Sequence, residues 1–417
     1  MTSDHGMSNV DEQRYDWRLV LVLSWLQLIS WGSIFYMFSL LMEPVEADMG
    51  WHRSQVSLAF SLALLAEGLV AYPVGRWIDQ GHERAVMTGG SVLAGLSLIG
   101  LSQVNTLWAF HLVWVLLGAS MAAVLYAPAF ALLTRRFKRD FRRAIIAMTF
   151  LGGLASTVFI PLIAWLMHLY GWRDTLLVLA AMHLLLCAPL HYRFLRGAPQ
   201  PEAHSAISPI EQSAAQLRDI RRLMRGRPFL LIGLFTVIMM SITVAIPAHL
   251  VPLLSERGLP LVWVVALPAT IGMTQVLGRV FLYFFEARMN LDRVNRSVPL
   301  LIPAGLLVLL VTPASWQLGG VAVFVLLYGL GNGLLTIVRG TVVAQYVSQA
   351  HAASLNGALG VPLAIARAAA PLLLGLGWSE QWGYTWGIGV MLGMAVLAVV
   401  ALKAAQRHTG PAAGARS

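Results

Sequence analysis

About twelve long stretches of apolar residues run through this sequence, and each has close to the 20 residues that a helix needs to cross a bilayer. Only 12% of the residues are charged and 58% are hydrophobic, so the folded chain has too little polar surface to cover its core in water. The pattern predicts an all-α membrane protein of about 12 transmembrane helices. The predicted spans are 18–42, 54–75, 86–103, 107–134, 144–168, 174–195, 228–254, 261–285, 298–313, 317–346, 354–377 and 383–404.

Lysine and arginine are distributed unevenly between the segments that connect these spans. All but five of the 29 basic residues fall on one side, which we call the basic face. Only Arg53, Arg173 and Arg257 fall on the opposite side. Short cytoplasmic loops of membrane proteins carry such an excess, so we predict an inner-membrane protein with both termini in the cytoplasm. Topology thus accounts for the net charge of +10, and we expect no binding to nucleic acid.

A polar, arginine-rich segment separates the first six spans from the last six. A weak repeat supports this division, because Tyr170-Gly171-Trp172 and Trp382-Gly383-Tyr384 precede spans six and twelve at an offset of roughly 210 residues. Parallel six-helix repeats place a substrate site between the two halves, near the middle of the membrane. The predicted organisation is a cytoplasmic tail at 1–17, a six-helix bundle at 18–195, a cytoplasmic linker at 196–227, a second six-helix bundle at 228–404 and a cytoplasmic tail at 405–417.

The residue patterns of enzymes and metal sites do not occur in this sequence. The single cysteine, Cys187, lies in an apolar run, which excludes an internal disulfide and a cysteine-based metal site. The sequence has no Gly-rich phosphate loop, no paired histidine ligands and no serine–histidine nucleophile pattern. We therefore predict a protein that is not an enzyme and that binds no cofactor and no metal.

The segment between spans two and three, residues 75–84, reads Gly-Arg-Trp-Ile-Asp-Gln-Gly-His-Glu-Arg. It resembles the signature loop of the major facilitator superfamily, in which glycines and an aspartate precede basic residues. Gln80 and Glu83 stand where the family has basic residues. The matching positions are Gly75, Asp79, Gly81 and Arg84. The resemblance extends over nearly the whole chain and implies the major facilitator fold of two six-helix bundles.

This loop has a physical role that its residue types explain. Glycines such as Gly75 and Gly81 permit a tight turn and a close approach of helices. Asp79 can meet the N-terminus of a facing helix or a neighbouring arginine, Arg135 or Arg136. In the family this loop is a cytoplasmic latch that stabilises the outward-open state, and the resemblance implies that role here. An ordinary capped turn is the alternative.

Within the superfamily, four stretches resemble bacterial relatives of the monocarboxylate and oxalate/formate carriers. They are Trp31-Gly32, Phe35-Tyr36, Gly50-Trp51-His52-Arg53-Ser54 and Tyr170-Gly171-Trp172-Arg173. The animal carriers are marked by an aspartate and an arginine in helix eight. Here Arg279 follows Gly278 at the expected cytoplasmic end of span eight, and no acidic residue precedes it by one turn.

Two arginines lie inside apolar spans, where a charge costs several kcal/mol unless it is paired or hydrated. Arg339 lies about eight residues from the end of span ten, roughly 12 Å deep, and Asn332 lies seven residues earlier on the same face. An arginine and an amide that face a hydrated cavity can hold a carboxylate by charge-assisted hydrogen bonds. Pairing of Arg339 with backbone carbonyls or an acidic residue is the alternative. Arg367 in span eleven has either a cavity role or a structural one.

Glu67 is the one carboxylate deep in a predicted span. Burial favours its protonated form, which is what a proton-coupling site requires. An ion pair with Arg339 or Arg367, and a hydrated carboxylate that faces the cytoplasm, are the alternatives. Two aromatic residues, Tyr36 in span one and Tyr126 in span four, are predicted to face the cavity.

These residues favour a secondary carrier for a small organic anion of the monocarboxylate type, which works by alternating access and is coupled to protons. Its partners are the small-molecule substrate, protons and the lipid bilayer, and we expect a monomer. The alternative is a proton-driven exporter of amphipathic or drug-like compounds. Such exporters usually offer an acidic pocket, and two intramembrane arginines against one glutamate favour the anion carrier.

Overall fold

The structure, a computed structural model, describes residues 17–137, 141–197, 218–285, 291–348 and 351–408. In this part of the chain, 11 helical stretches are long and apolar enough to cross a membrane, and one of them, Arg143–Phe194, has 52 residues. A continuous helix of that length would measure about 78 Å, more than twice the thickness of the hydrocarbon layer. Its backbone leaves helical geometry at Gly171 (φ 77°, ψ 171°), so the stretch contains two spans. The described residues therefore form twelve spans, as predicted.

We number the spans in chain order. The first six are α1 (Trp17–Met49), α2 (Arg53–Asp79), α3 (Glu83–Ser102), α4 (Leu107–Arg136), α5 (141–170) and α6 (172–194). The last six are α7 (Arg227–Glu256), α8 (Leu261–Phe285), α9 (291–311), α10 (Gln317–Tyr346), α11 (352–376) and α12 (Thr385–His408). Most of the predicted linker, residues 198–217, lies outside the described residues, and its bounds stay a prediction.

Several spans are longer than predicted, and two of them, α1 and α9, show the reason. α9 begins with the polar turn Leu291–Ser297, and α1 continues to Met49 through Glu43, Glu46 and Asp48. Hydropathy ends a predicted span where charges begin, whereas a helix continues as long as its backbone hydrogen bonds are satisfied. The charged ends of these helices therefore project to the membrane surfaces.

Two of the helices that lie between the bundles depart from regular α geometry. α1 contains a π-helical segment, Trp31–Tyr36. α4 breaks at Leu125, whose backbone is extended, and resumes at Tyr126. Pro128 has no N–H to donate to the carbonyl of Val124 four residues earlier. The side chain of Gln27 in α1 donates to that carbonyl instead, at 2.7 Å, which stabilises the break.

The first six and the last six helices form two bundles that meet along two seams. In one seam α2 packs against α11, and in the other α5 packs against α8, while α1 contacts α7 between them. The internal repeat is visible in the backbone, because Gly171 and Gly383 both have positive φ angles, 77° and 51°. This conformation favours glycine, so both copies of the repeat require it at the turn before their last helix.

Candidate functional site

The seam between α2 and α11 is tight from the end opposite the basic face to the middle of the helices. The backbone N–H of Leu372 donates to the hydroxyl of Ser61 at 3.0 Å. Near mid-depth, a Cβ on Gly68 would lie only 2.9 Å from the Cβ of Ala364. Small residues at this crossing let the two backbones approach closely.

The same two helices separate towards the basic face. A Cβ built on Gly75 of α2 or on Gly360 of α11 would meet no described atom within 4 Å. The α2–α11 seam therefore has the shape of a wedge, which is closed at one end, called here the closed face, and open at Gly75 and Gly360 near the basic face. Gly75 has no close approach to another described helix in this conformation, and the latch role of this loop stays a prediction.

A buried arginine joins the two halves at the closed face. Arg53, at the start of α2, is only 6% exposed. Its guanidinium pairs with Glu46 of α1 at 2.8 Å and with Glu256 at the end of α7. Because Glu46 belongs to the first bundle and Glu256 to the second, Arg53 bridges them.

Aromatic groups of the second bundle cover this arginine. The guanidinium of Arg53 lies 4.4 Å from the ring centroid of Trp378 and 5.5 Å from that of Tyr384, both within cation–π range. The indole N–H of Trp378 also donates to Glu256 at 2.8 Å. We call Glu46, Arg53, Glu256, Trp378 and Tyr384 the closed-face cluster.

His249 of α7 supports the closed-face cluster from the membrane side. Its Nε2 lies 2.9 Å from the carbonyl of Pro371, which only accepts, so Nε2 carries the proton. In the neutral ring Nδ1 then accepts from the hydroxyl of Tyr384 at 2.8 Å. Tyr384 lies in the loop before α12, where burial raises the pKa of its phenol, an effect that nearby Arg53 opposes. The phenol therefore stays protonated and can donate.

Tyr36 and Tyr126, predicted to face the cavity, lie together between the bundles with Arg279 of α8. Arg279 is close enough to interact electrostatically with both hydroxyls. The two tyrosines come from the first bundle and the arginine from the second. A Cβ on Gly152 of α5 would lie 2.6 Å from the Tyr126 hydroxyl, and one on Gly153 would lie 3.7 Å from Arg279. We call Tyr36, Tyr126 and Arg279 the tyrosine–arginine cluster.

Glycines hold α8 in place for this arrangement. A Cβ on Gly272 would lie 2.6 Å from the carbonyl oxygen of Gly153 in α5, and one on Gly333 of α10 would lie 2.5 Å from the carbonyl oxygen of Gln275. The hydroxyl of Thr157 also donates to the carbonyl of Ala269 at 2.7 Å. α8 is therefore held between α5 and α10. This packing sets the depth at which Arg279 lies and the direction in which it points.

The three charged residues that were predicted inside spans, Glu67, Arg339 and Arg367, lie near the α2–α11 seam. Arg367 of α11 is near enough to Glu67 of α2 for a favourable charge interaction, and near enough to Arg339 of α10 for a repulsive one. Arg339 is exposed and contacts the sulfur of Met240 in α7 at 3.9 Å. We call Glu67, Arg339 and Arg367 the glutamate–arginine cluster. Asn332 is half-buried two turns earlier on α10, and none of the described contacts joins it to this cluster.

In the 75–84 loop, Gly81 has a φ of 88°, as the predicted tight turn requires. The side chain of Asp79 lies outside the described part of the chain. Arg84 stacks on the ring of Tyr192, with its guanidinium carbon 3.6 Å from the ring centroid. These contacts lie within the first bundle.

The arginines at the end of α4 lie beside this loop. Arg135 is half-buried. Arg136 donates from Nε to the fully buried Glu83 at 2.6 Å. The acidic residue that replaces an expected basic one is thus paired with a basic residue of α4.

Two of the arginines near the junction of the bundles were not predicted from the sequence to lie there. Arg279 was counted with the charges at the cytoplasmic end of span eight, whose predicted bounds match α8, but it interacts electrostatically with Tyr36 and Tyr126 of the first bundle. Arg53 was counted only as a loop charge. The signal available for it was the set of acidic residues just beyond the predicted ends of spans one and seven, Glu46 and Glu256.

Residues 20–371 match the family model for the Major Facilitator Superfamily. The chain is 29% identical over 359 residues to monocarboxylate transporter 13 of Bos taurus, which covers 81% of this chain and 77% of that protein. It is 23% identical over 360 residues to the uncharacterized MFS-type transporter YcxA of Bacillus subtilis (strain 168), with 83% of each chain covered.

Solved structures are similar in fold at low sequence identity. The nucleoside transporter NupG superposes with a TM-score of 0.72 at 15% identity, covering 93% of this chain and 98% of that one. A D-xylose–proton symporter superposes with a TM-score of 0.72 at 14% identity, covering 92% and 96%. At such identities the likeness shows the shared fold of two six-helix bundles and nothing about the substrate.

Proposed function

Because this chain belongs to the major facilitator superfamily, we propose that it is a secondary carrier that moves a small organic anion of the monocarboxylate type across the membrane. It is a multi-pass membrane transporter and not an enzyme, because the members of its family and its relatives are transporters. The anion, its coupling to protons and alternating access are the parts that we propose.

The observation that carries the proposal is the position of Arg279. A guanidinium inside a span needs a partner or water. The Nε of Arg279 donates to the carbonyl of Gly333 in α10 at 3.4 Å, and a bound anion at the junction of the bundles can be the partner of its terminal nitrogens. Arg279 presents a planar fork that binds a carboxylate through two parallel hydrogen bonds, and the hydroxyls of Tyr36 and Tyr126 can donate to the same group. Because the arginine and the tyrosines belong to different bundles, a carboxylate at this cluster would hold both.

The glutamate–arginine cluster supports coupling to protons. Glu67 is half-buried in α2 and faces Arg367 across the seam. Protonation of Glu67 would remove its attraction to Arg367 and leave the repulsion between Arg367 and Arg339 uncompensated. In this proposal Glu67 takes up the proton, and Arg339 and Arg367 give the cavity a positive potential that attracts the anion. A purely structural ion pair is the alternative role.

We further propose that the basic face lies in the cytoplasm of an inner-membrane protein, with both termini on that side. The conformation described above then opens to the cytoplasm and is closed to the outside by the closed-face cluster. The bundles at 18–195 and 228–404 would rock about the two mid-depth crossings, at Gly68 and at Gly272, to open the other side.

The test is flux into proteoliposomes of the purified full-length protein, with a panel of radiolabelled mono- and dicarboxylates and with or without an inward proton gradient. We expect uptake of at least one monocarboxylate, and Arg279→Gln should lower it more than tenfold, because charge-assisted hydrogen bonds are lost. Arg279→Lys keeps the charge and should retain part of the uptake. Carboxylate uptake that is unchanged by Arg279→Gln would overturn the proposed binding role.

Glu67→Gln separates coupling from binding in the same assay. If Glu67 takes up the proton, the variant should exchange substrate across the membrane but no longer accumulate it against a gradient. Arg339→Gln should reduce exchange less than Arg279→Gln, since Arg339 is exposed and has Arg367 beside it. Proton-driven accumulation that survives Glu67→Gln would leave the structural ion pair as the role of Glu67.

A further inference from the structure

Aromatic side chains surround the tyrosine–arginine cluster on the side of the first bundle. The rings of Trp31 and Tyr126 are 4.9 Å apart between centroids and tilted by 43°. Tyr126 stacks on Phe130 at 5.3 Å, and Trp31 meets Phe35 edge to face at 4.9 Å. We call Trp31, Phe35, Tyr36, Tyr126 and Phe130 the ring cluster.

The π-helical segment Trp31–Tyr36 brings three of these rings to one place. In a regular α-helix, residues five apart point about 140° away from each other. The i→i+5 hydrogen bonding of a π-turn brings them towards one face, and the rings of Trp31 and Tyr36 lie 6.5 Å apart. His183 of α6 donates from Nε2 to the hydroxyl of Ser33 at 2.7 Å, in the middle of the segment. Such segments are frequent at functional sites because they re-aim side chains.

The ring cluster lies between the bundles and not towards lipid. Trp31, Tyr36 and Tyr126 are each half-buried. The hydroxyls of both tyrosines are within electrostatic range of Arg279, which belongs to the second bundle. One site thus has a cation at one end and partly open ring faces beside it.

This site also contains a hydrogen-bond donor that the protein does not use. The indole Nε1–H of Trp31 is buried, and among the described residues it has no acceptor. Buried donors are nearly always paired with protein, water or ligand, and a carboxylate bound beside this ring is one acceptor that would pair with it. It lies on the ring that contacts Tyr126, and the hydroxyl of Tyr126 is within electrostatic range of Arg279.

We propose that the preferred substrates are aromatic carboxylates, with the carboxylate on Arg279 and the aryl ring against Trp31 and Tyr126. This inference rests on the proposed anion-carrier function and narrows its substrate class. Aromatic rings attract each other in tilted and offset arrangements beyond the effect of buried area, an advantage that a saturated ring of the same size does not have. A small aliphatic carboxylate would bind Arg279 but would not contact the rings of Trp31 and Tyr126.

The test compares matched ligands on the purified full-length protein in detergent, with dissociation constants measured by isothermal titration calorimetry. Phenylacetate should bind about two- to tenfold more tightly than cyclohexylacetate, which has the same carboxylate and a saturated ring. Acetate should bind more weakly than either. Trp31→Leu should bring the ratio of the dissociation constants of cyclohexylacetate and phenylacetate close to one. Trp31→Phe keeps a ring and should retain most of the preference for phenylacetate.

Trp165→Leu is the matched control, since Trp165 is 58% exposed on α5 and outside the ring cluster. It should leave the ratio unchanged. Equal affinity for phenylacetate and cyclohexylacetate, with both lost in Arg279→Gln, would overturn this inference and leave the anion carrier standing. Binding of both ligands that is unaffected by Arg279→Gln would overturn the proposed function itself.

Discussion

The two ends of the α2–α11 seam are held in different ways. At the closed face the bundles are joined by charged and aromatic groups centred on Arg53. At mid-depth they meet through small residues, Gly68 and Ala364, and at Gly75 they do not meet. A contact between small residues tolerates rocking, whereas the ion pairs of the buried Arg53 with Glu46 and Glu256 are either made or broken. The comparison indicates that the closed-face cluster decides whether this conformation persists, and that the mid-depth crossing is the pivot.

Arg53→Ala should have the largest effect on this comparison. It leaves Glu46 and Glu256 without their cation, and loss of one partner of a buried pair typically costs about 3–5 kcal/mol. The closed face should open, so that a cysteine introduced at Ser57, now fully buried beneath it, reacts with a polar maleimide more than tenfold faster. The native Cys187 is buried and should give little background.

Arg173→Ala is the control for that experiment. Arg173 lies on the same side of the membrane and pairs with Asp48 at 3.3 Å, but both residues belong to the first bundle and both are more exposed. Its loss should leave the labelling rate of the cysteine nearly unchanged. Equal acceleration by Arg173→Ala and Arg53→Ala would mean that general destabilisation, and not the bridge between the bundles, opens this face.

Glu256→Gln should open the closed face less than Arg53→Ala, because the amide still accepts a hydrogen bond. Glu46→Gln should act more weakly still, since Glu46 and Arg53 belong to the same bundle. We expect about 1–2 kcal/mol for Glu256→Gln, or roughly a fivefold or greater rise in the same labelling rate. A stronger effect of Glu46→Gln would contradict the assignment of Glu256 as the partner that joins the halves.

Two glycine variants test the wedge itself. In Gly68→Ala the new methyl group would crowd Ala364, and we expect destabilisation of about 1–3 kcal/mol, measured as a lower Tm. Gly75→Ala fits open space and should be neutral or raise stability by up to about 1 kcal/mol, from better helix propensity. If both variants lowered Tm equally, the seam would be closed at the depth of Gly75 as well as at that of Gly68, which would contradict the wedge.

Among the changes within the closed-face cluster, a small effect is expected for Trp378→Phe. This change removes the indole donor to Glu256 but keeps a ring over Arg53. Loss of one partly exposed hydrogen bond is worth about 0.5–1.5 kcal/mol, so labelling of the cysteine at position 57 should rise about two- to tenfold. Trp378→Ala, which also removes the ring, should exceed it. Identical rates for the two variants would show that the hydrogen bond alone matters.

The features that depend on the membrane as a solvent, above all the positions of the spans, could be predicted well from the sequence. The positions of the spans follow from the need to bury apolar residues in lipid, and the glycines at 171 and 383 follow from turns that only glycine makes easily. Tyr36 and Tyr126 stay predicted cavity residues, chosen because polar groups in a span need a reason to be there. All of these features are local, since they depend on the chemistry of a residue and its neighbours in the chain.

The pairing of groups from different bundles was decided only by the tertiary structure. Arg53 meets Glu256 across 203 positions of sequence. Arg279 comes within electrostatic range of Tyr36 because glycines let α8 pack closely against α5 and α10. A hydropathy pattern indicates how deep in the membrane a residue lies. It does not indicate how the helix is rotated about its axis or which helix faces it. For this chain, the sequence by itself therefore determined the twelve spans, their division into two halves and the residues that need partners. The packing of the bundles determined which partner each residue has and which face is closed.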